Sequence, residues 1–109
     1  MAFRVGDAVK MKKGVMDAEH EKWDLSGWQG WVIAAPKRGV RETYQVRWDT
    51  ETFKNMPLDF IEQANEDQDE WDIYYTVEDE LEGARARDTM KDSEKTAEQW
   101  RANYPQDED

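Results

Sequence analysis

A mainly β fold is predicted: a small, strongly bent antiparallel sheet of about five strands, with an acidic extension and one C-terminal helix. Three observations carry this expectation. Tyr44, Val46 and Trp48 alternate with Gln45, Arg47 and Asp49, the period-2 pattern of a strand with one buried and one wet face. Gly27 and Gly30 punctuate the entry to the most apolar segment, Trp31-Val32-Ile33-Ala34. Helical spacing emerges only after Gly83, where Met90, Ala97, Trp100 and Tyr104 fall on one stripe.

Taken in order, the first strand is expected over Ala8 to Met11, behind a Gly6-Asp7 turn. From Lys12 to Ser26 charges dominate and periodicity vanishes. A loop this long inside a small domain is often functional. The second strand runs from Gln29 to Ala35 and is closed by Pro36. Lys37 to Val40 form a turn with Gly39 available for a positive φ. The third strand, Thr43 to Asp49, pairs with the second. A turn at Asp49 to Thr52 leads to a short fourth strand, Phe53 to Met56, stopped by Pro57, and Leu58 to Ile61 form a single helical turn. Residues 62 to 70 read as a polar linker, and a last short strand lies within Tyr75 to Leu81. A helix over Ser93 to Asn103 is capped by Asp92 or Ser93 and ended by Pro105, leaving Gln106 to Asp109 as a frayed tail. The organisation is thus residues 1–83, a sheet with its acidic linker, and residues 84–109, a helix and acidic tail packed on the same domain.

Hydrophobic and charged residues each make up 38% of the 109 positions, so the core depends on large side chains. Six Trp, four Tyr and three Phe supply them, each able to bury roughly 150–250 Å². The formal charge of -11 disfavours nucleic acid and anionic membrane as partners. That charge is asymmetric: residues 1–61 hold 10 Lys plus Arg against 9 Asp plus Glu, and residues 62–109 hold 5 against 17. No stretch approaches the ~18 apolar residues of a membrane span and the N-terminus has no signal-like run, which leads us to expect a cytoplasmic protein.

With no cysteine, thiolate chemistry and cysteine metal sites are excluded. A hydrolytic triad would need Ser26 or Ser93 to meet His20, and His20 reads as a solvated loop histidine. Asn65, Asp67 and Asp69 occupy three places of a calcium-loop template, but Glu70 stands where glycine is needed and Thr76 where the bidentate glutamate belongs. Asp17, Glu19 and Glu21 fail the same template at Lys22 and Trp28. No spacing singles out a carboxylate pair for acid–base work, and Gly27-Trp28-Gln29-Gly30 matches no nucleotide-binding fingerprint. The aromatic excess remains, because rings that a thin core cannot hold form anchors for peptides or cages for cations.

Val5-Gly6-Asp7-Ala8-Val9-Lys10, Asp24-Leu25-Ser26-Gly27-Trp28-Gln29-Gly30, Val46-Arg47-Trp48-Asp49 and Lys54-Asn55-Met56-Pro57 resemble segments of the SH3-like barrels. That superfamily contains Tudor, chromo-barrel and KOW-type modules, and the likeness is greatest to a family of small bacterial members of uncharacterised function. The run from Gly6-Asp7 through His20-Glu21-Lys22 to Gly27 is also similar to the variable chain of ferredoxin-thioredoxin reductase. The resemblance covers Phe3 to Ile61 and implies an SH3-like barrel that supports a partner and holds no cofactor. Trp31 departs from it, standing where a polar residue is more usual, and the basic surface of nucleic-acid-binding relatives is missing.

The function expected is therefore that of a non-catalytic protein-binding or adaptor module. Trp28, Trp31, Trp71 and Tyr74 form its partner-binding face, with Trp31 turned outward from the sheet. No enzyme activity, metal or cofactor is expected. The partner is a protein or peptide, and the chain itself is a monomer or weak homodimer. Two alternatives stand beside this one: an acidic mimic or sequestering partner of a basic protein surface, and a weak calcium-binding protein.

Overall fold

The computed structural model describes residues 2–18 and 20–105. Glu19 and the expected acidic tail at 106–109 lie outside the described residues. Strands β1 (Ala8–Met11), β2 (Gln29–Ala34) and β3 (Tyr44–Trp48) lie within the segments expected from sequence, and helices α1 (Thr50–Asn55) and α2 (Leu58–Glu66) follow. Strand β4 (Ile73–Thr76), a 3₁₀ turn (Glu78–Glu80), strand β5 (Leu81–Gly83) and helix α3 (Met90–Asn103) complete the chain. The strands form one antiparallel sheet in the order β4-β3-β2-β1-β5. β4 and β5 occupy its two edges, so among the described residues the sheet is open.

Register follows from the apolar face. Gly30 sits between Val9 and Trp48, and Val32 lies opposite Val46, so Val9, Val32, Val46 and Trp48 share the core side. The β2–β3 register shifts between Val32 and Ala34, an irregularity in the ladder at this point. Two glycines at the strand entry serve different needs. Gly27 has φ +79, open to glycine without strain. A Cβ at Gly30 would stand 2.3 Å from the Arg47 carbonyl oxygen, so the neighbouring strand occupies that space.

Three expected elements are corrected. The fourth strand, Phe53 to Met56, is instead part of α1. Asp49 is an N-cap whose carboxylate accepts from the Thr52 backbone N–H at 2.8 Å, with Glu51 in the first turn and Lys54 in the last. The single turn at Leu58 continues to Glu66 because Phe60, Ile61 and Ala64 recur on one buried face, which makes the first part of the expected linker helical. The expected last strand is two: β4 pairs with β3, the acidic run Glu78-Asp79-Glu80 turns the chain, and β5 pairs with β1. The sheet organises the molecule, but the three helices together hold more residues than its strands.

Helix α3 begins at Met90, three residues earlier than expected, because Thr89 is the cap and accepts from the Asp92 N–H at 3.1 Å. Ser93 is buried instead. Its hydroxyl donates to the Trp48 carbonyl at 2.8 Å and accepts from Arg47 Nε at 2.9 Å, which fastens the helix to β3. Ala97 enters the core and Trp100 packs on Phe53 at 6.2 Å between ring centroids.

Between β5 and α3 the chain crosses as a polar strap. Gln29 Nε2 donates to the Arg85 carbonyl at 2.7 Å. Arg87 donates through Nε and Nη2 to both oxygens of the buried Asp49, each at 2.9 Å, and through Nη1 to Glu51. Asp88 accepts from Trp31 Nε1 at 2.8 Å and from the Thr50 hydroxyl at 2.7 Å.

Candidate functional site

The long segment between β1 and β2 is a folded excursion. Met16 and Asp24 bridge antiparallel, the Leu25 N–H donates to the Val15 carbonyl at 2.9 Å, and Leu25 is fully buried. This places Trp23 beside α2, edge-on to Phe60 at 5.6 Å. From the other side, β4 lays Tyr74 over Trp48, with ring centroids 5.9 Å apart and planes 25° apart. The turn after α2 brings Asp69, Glu70 and Trp71 to the same place.

A cavity of about 440 Å³ opens where these elements meet. Its aromatic walls are Trp23, Trp48, Phe60, Trp71, Tyr74 and Tyr75, and Asp17, Asp69 and Glu70 are the acids that line it. No Lys or Arg is among the described residues lining it; His20 is the one basic side chain at its border. The volume falls in the range of roughly 300–1,000 Å³ usual for ligand sites.

His20, read from sequence as a solvated loop histidine, lines the cavity and is tied to the end of α2. Its Nε2 is hydrogen-bonded to Asp67 Oδ2, and that bond holds the Asp67 carboxyl below the usual carboxylate range. Gln63 Nε2 donates to the same oxygen at 3.3 Å. Also lining the cavity, the Tyr75 hydroxyl donates to Glu70 Oε1 at 3.1 Å. Partial burial, modest for a ring 48% exposed, raises the Tyr75 phenol, and the Glu70 carboxylate raises it further.

The four residues expected at the binding face separate. Trp71 and Tyr74 both line the cavity. Trp71 is only 3% exposed; its Nε1 donates to Asn65 Oδ1 at 3.2 Å and its carbonyl accepts from Trp48 Nε1 at 3.0 Å, so it serves as floor rather than as an exposed anchor. The Tyr74 hydroxyl accepts from the Ala18 N–H at 3.2 Å, joining β4 to the excursion. Trp28 lies behind the wall, edge-on to Phe60 at 5.0 Å and to Trp48 at 5.3 Å. Trp31 does turn away from the Val32 side of β2, but the strap covers it through Asp88, and it does not line the cavity.

The calcium-template residues are engaged elsewhere. Asn65 Nδ2 donates to the Tyr104 carbonyl at 3.2 Å while its Oδ1 holds Trp71, and Asp67 is bonded to His20. No group of three His, Asp or Glu converges as cation ligands among the described residues. None of their helices is long and apolar enough to cross a membrane. Compared with protein-family models, with curated proteins and with solved structures, the chain matches none.

Sequence reasoning missed Trp48 and Phe60 as wall residues because alternation and helical spacing mark both as core, which they also are. It missed the His20–Asp67 tie because 47 positions separate the partners. Trp23 and Tyr75 belong to the aromatic excess that composition shows, but no local pattern singles them out.

Proposed function

We propose that the chain is a non-catalytic protein-binding module and that the aromatic cavity between the excursion, α2 and β4 receives a side chain from its partner. One observation carries this reading: six rings from the excursion, β3, α2, the turn after α2 and β4 gather around a single opening whose border stays polar. Apolar walls with a few convergent polar groups are the usual form of a specificity pocket, and buried aromatic anchors dominate binding energetics. The architecture supports the same reading. A meander in which β5 returns beside β1 is consistent with an SH3-like barrel whose seam lies between β4 and β5.

Selection of displayed random peptides on the folded chain, followed by titration against Trp23→Leu and Tyr74→Ala variants of equal folded fraction, tests the proposal. Selected peptides should lose at least about tenfold in affinity on both variants, the equivalent of ~1.4 kcal/mol. Affinity unchanged on both would remove the cavity from the binding surface.

A further inference from the structure

Resting on that reading, we infer that the side chain the cavity takes is cationic, an arginine presented by a segment of a partner protein. The walls and the border point to this together. Aromatic faces attract cations through the ring quadrupole, and the attraction grows when water is excluded. Here the fixed charges lining the opening are carboxylates, Asp17 on the excursion and Asp69 and Glu70 on the turn before β4. A neutral or acidic side chain would forfeit that field, and an acidic one would be repelled by it.

The protein already shows one of these rings holding a cation. Lys22 Nζ lies 5.1 Å from the centroid of Trp23 and 3.5 Å from Gln63 Oε1.

Arginine fits better than lysine. Its planar guanidinium stacks on rings and hydrogen-bonds carboxylates in a fork, whereas an ammonium is compact and strongly hydrated. The Trp23 and Phe60 planes stand at 86° to each other, so the walls offer a face and an edge. A space of about 440 Å³ accommodates the longer side chain with part of its backbone.

The experiment compares matched peptides with a central arginine, lysine, citrulline, leucine or glutamate in several neutral flanking contexts. Binding is followed by the indole N–H resonances of Trp23 and Trp71, with wild-type protein and with Glu70→Gln, a change at the border that leaves the core intact. Arginine peptides should bind at least about tenfold tighter than citrulline peptides, which keep the shape without the charge. Glu70→Gln should narrow that ratio several-fold. Citrulline or leucine peptides that shift the same resonances with equal affinity would overturn the cation preference and leave the binding reading standing. Arginine peptides that bind without moving those indoles, or whose ratio ignores Glu70→Gln, would assign the attraction to the general acidity of the chain and overturn the site. If no peptide of any type moves the indoles, the binding reading itself fails.

Discussion

At Gly30 the decisive quantity is a distance. The Arg47 carbonyl leaves no room for a methyl group, and the obstructing atoms are backbone of the paired strand, which cannot swing aside as a side chain would. Gly30→Ala should therefore destabilise the fold by about 2 kcal/mol or more, near the upper part of the range for overpacked sites, read as a lower denaturation midpoint at unchanged slope. Asp67 offers a second test at this scale. Because its folded pKa lies below the ordinary value of ~3.9, whatever the bond to His20 contributes is complete above that pH and is lost as pH falls through the depressed folded value. Wild-type protein should accordingly lose more stability than Asp67→Asn below about pH 4, with His20 ring resonances moving over the same interval. Single residues were also where the sequence spoke with least ambiguity: both glycines at the entry to β2 were marked as necessary, although only the structure separates the positive φ of Gly27 from the close approach at Gly30.

Among elements, the strap between β5 and α3 illustrates what pattern reading leaves out. Asp49 looked like the end of a strand, and its side chain is 2% exposed, which only makes sense once Arg87 arrives from 38 positions away to neutralise it while the Thr52 N–H satisfies the cap. Arg87→Ala should cost about 2 kcal/mol. A buried pair broken on one side typically costs more, but the guanidinium is 37% exposed and water screens part of the loss. Replacing Asp49 and Arg87 together by Asn and Ala should cost less than the sum of the single changes, the coupling being read from a double-mutant cycle. The strands β1 and β3 were legible because each declares itself by alternation within a handful of residues, and β2 because it is a short apolar run between Gly30 and Pro36. Helix α1 was not, because Thr50-Glu51-Thr52-Phe53-Lys54-Asn55 is too short to show a helical period and Phe53 suits either state. Its only local signal was the cap three residues ahead of Thr52. The end of α2 was hidden for a related reason: Ala64 is the one apolar residue from Glu62 to Glu70, and a single small anchor inside an acidic run reads as linker until a core is there to receive it.

On the scale of the whole molecule, the open question from sequence was which aromatic rings the core would leave over. Composition showed the excess, and the long charged segment between β1 and β2 was recognisable as the place where function could reside. That Trp23 from this segment would face Tyr74 across an acid-bordered cavity was not, since the meeting depends on the path of β4 along β3. The same path divides Trp31 from Trp71, two residues that looked alike as candidates and have unlike surroundings. Salt should distinguish the contributions to any basic ligand held at this site. Attraction to the net charge of the chain fades as ionic strength rises past physiological levels, whereas contacts inside the cavity are screened far less. Affinity of an arginine peptide should thus fall by no more than several-fold between low and high salt.

The return of β5 to the side of β1 also sets an order of assembly. Hairpin β2–β3 needs only the short turn around Gly39, but Val9 meets Gly83 only after nearly all the intervening chain has been gathered in. Contacts that close such long loops form late and slow the overall rate. Amide protons of β2 and β3 should acquire protection first in pulse-labelled refolding, and those on the β5 side of β1 last. During synthesis, β1 must therefore wait, paired on one side only, until β5 has been made and folds back to it.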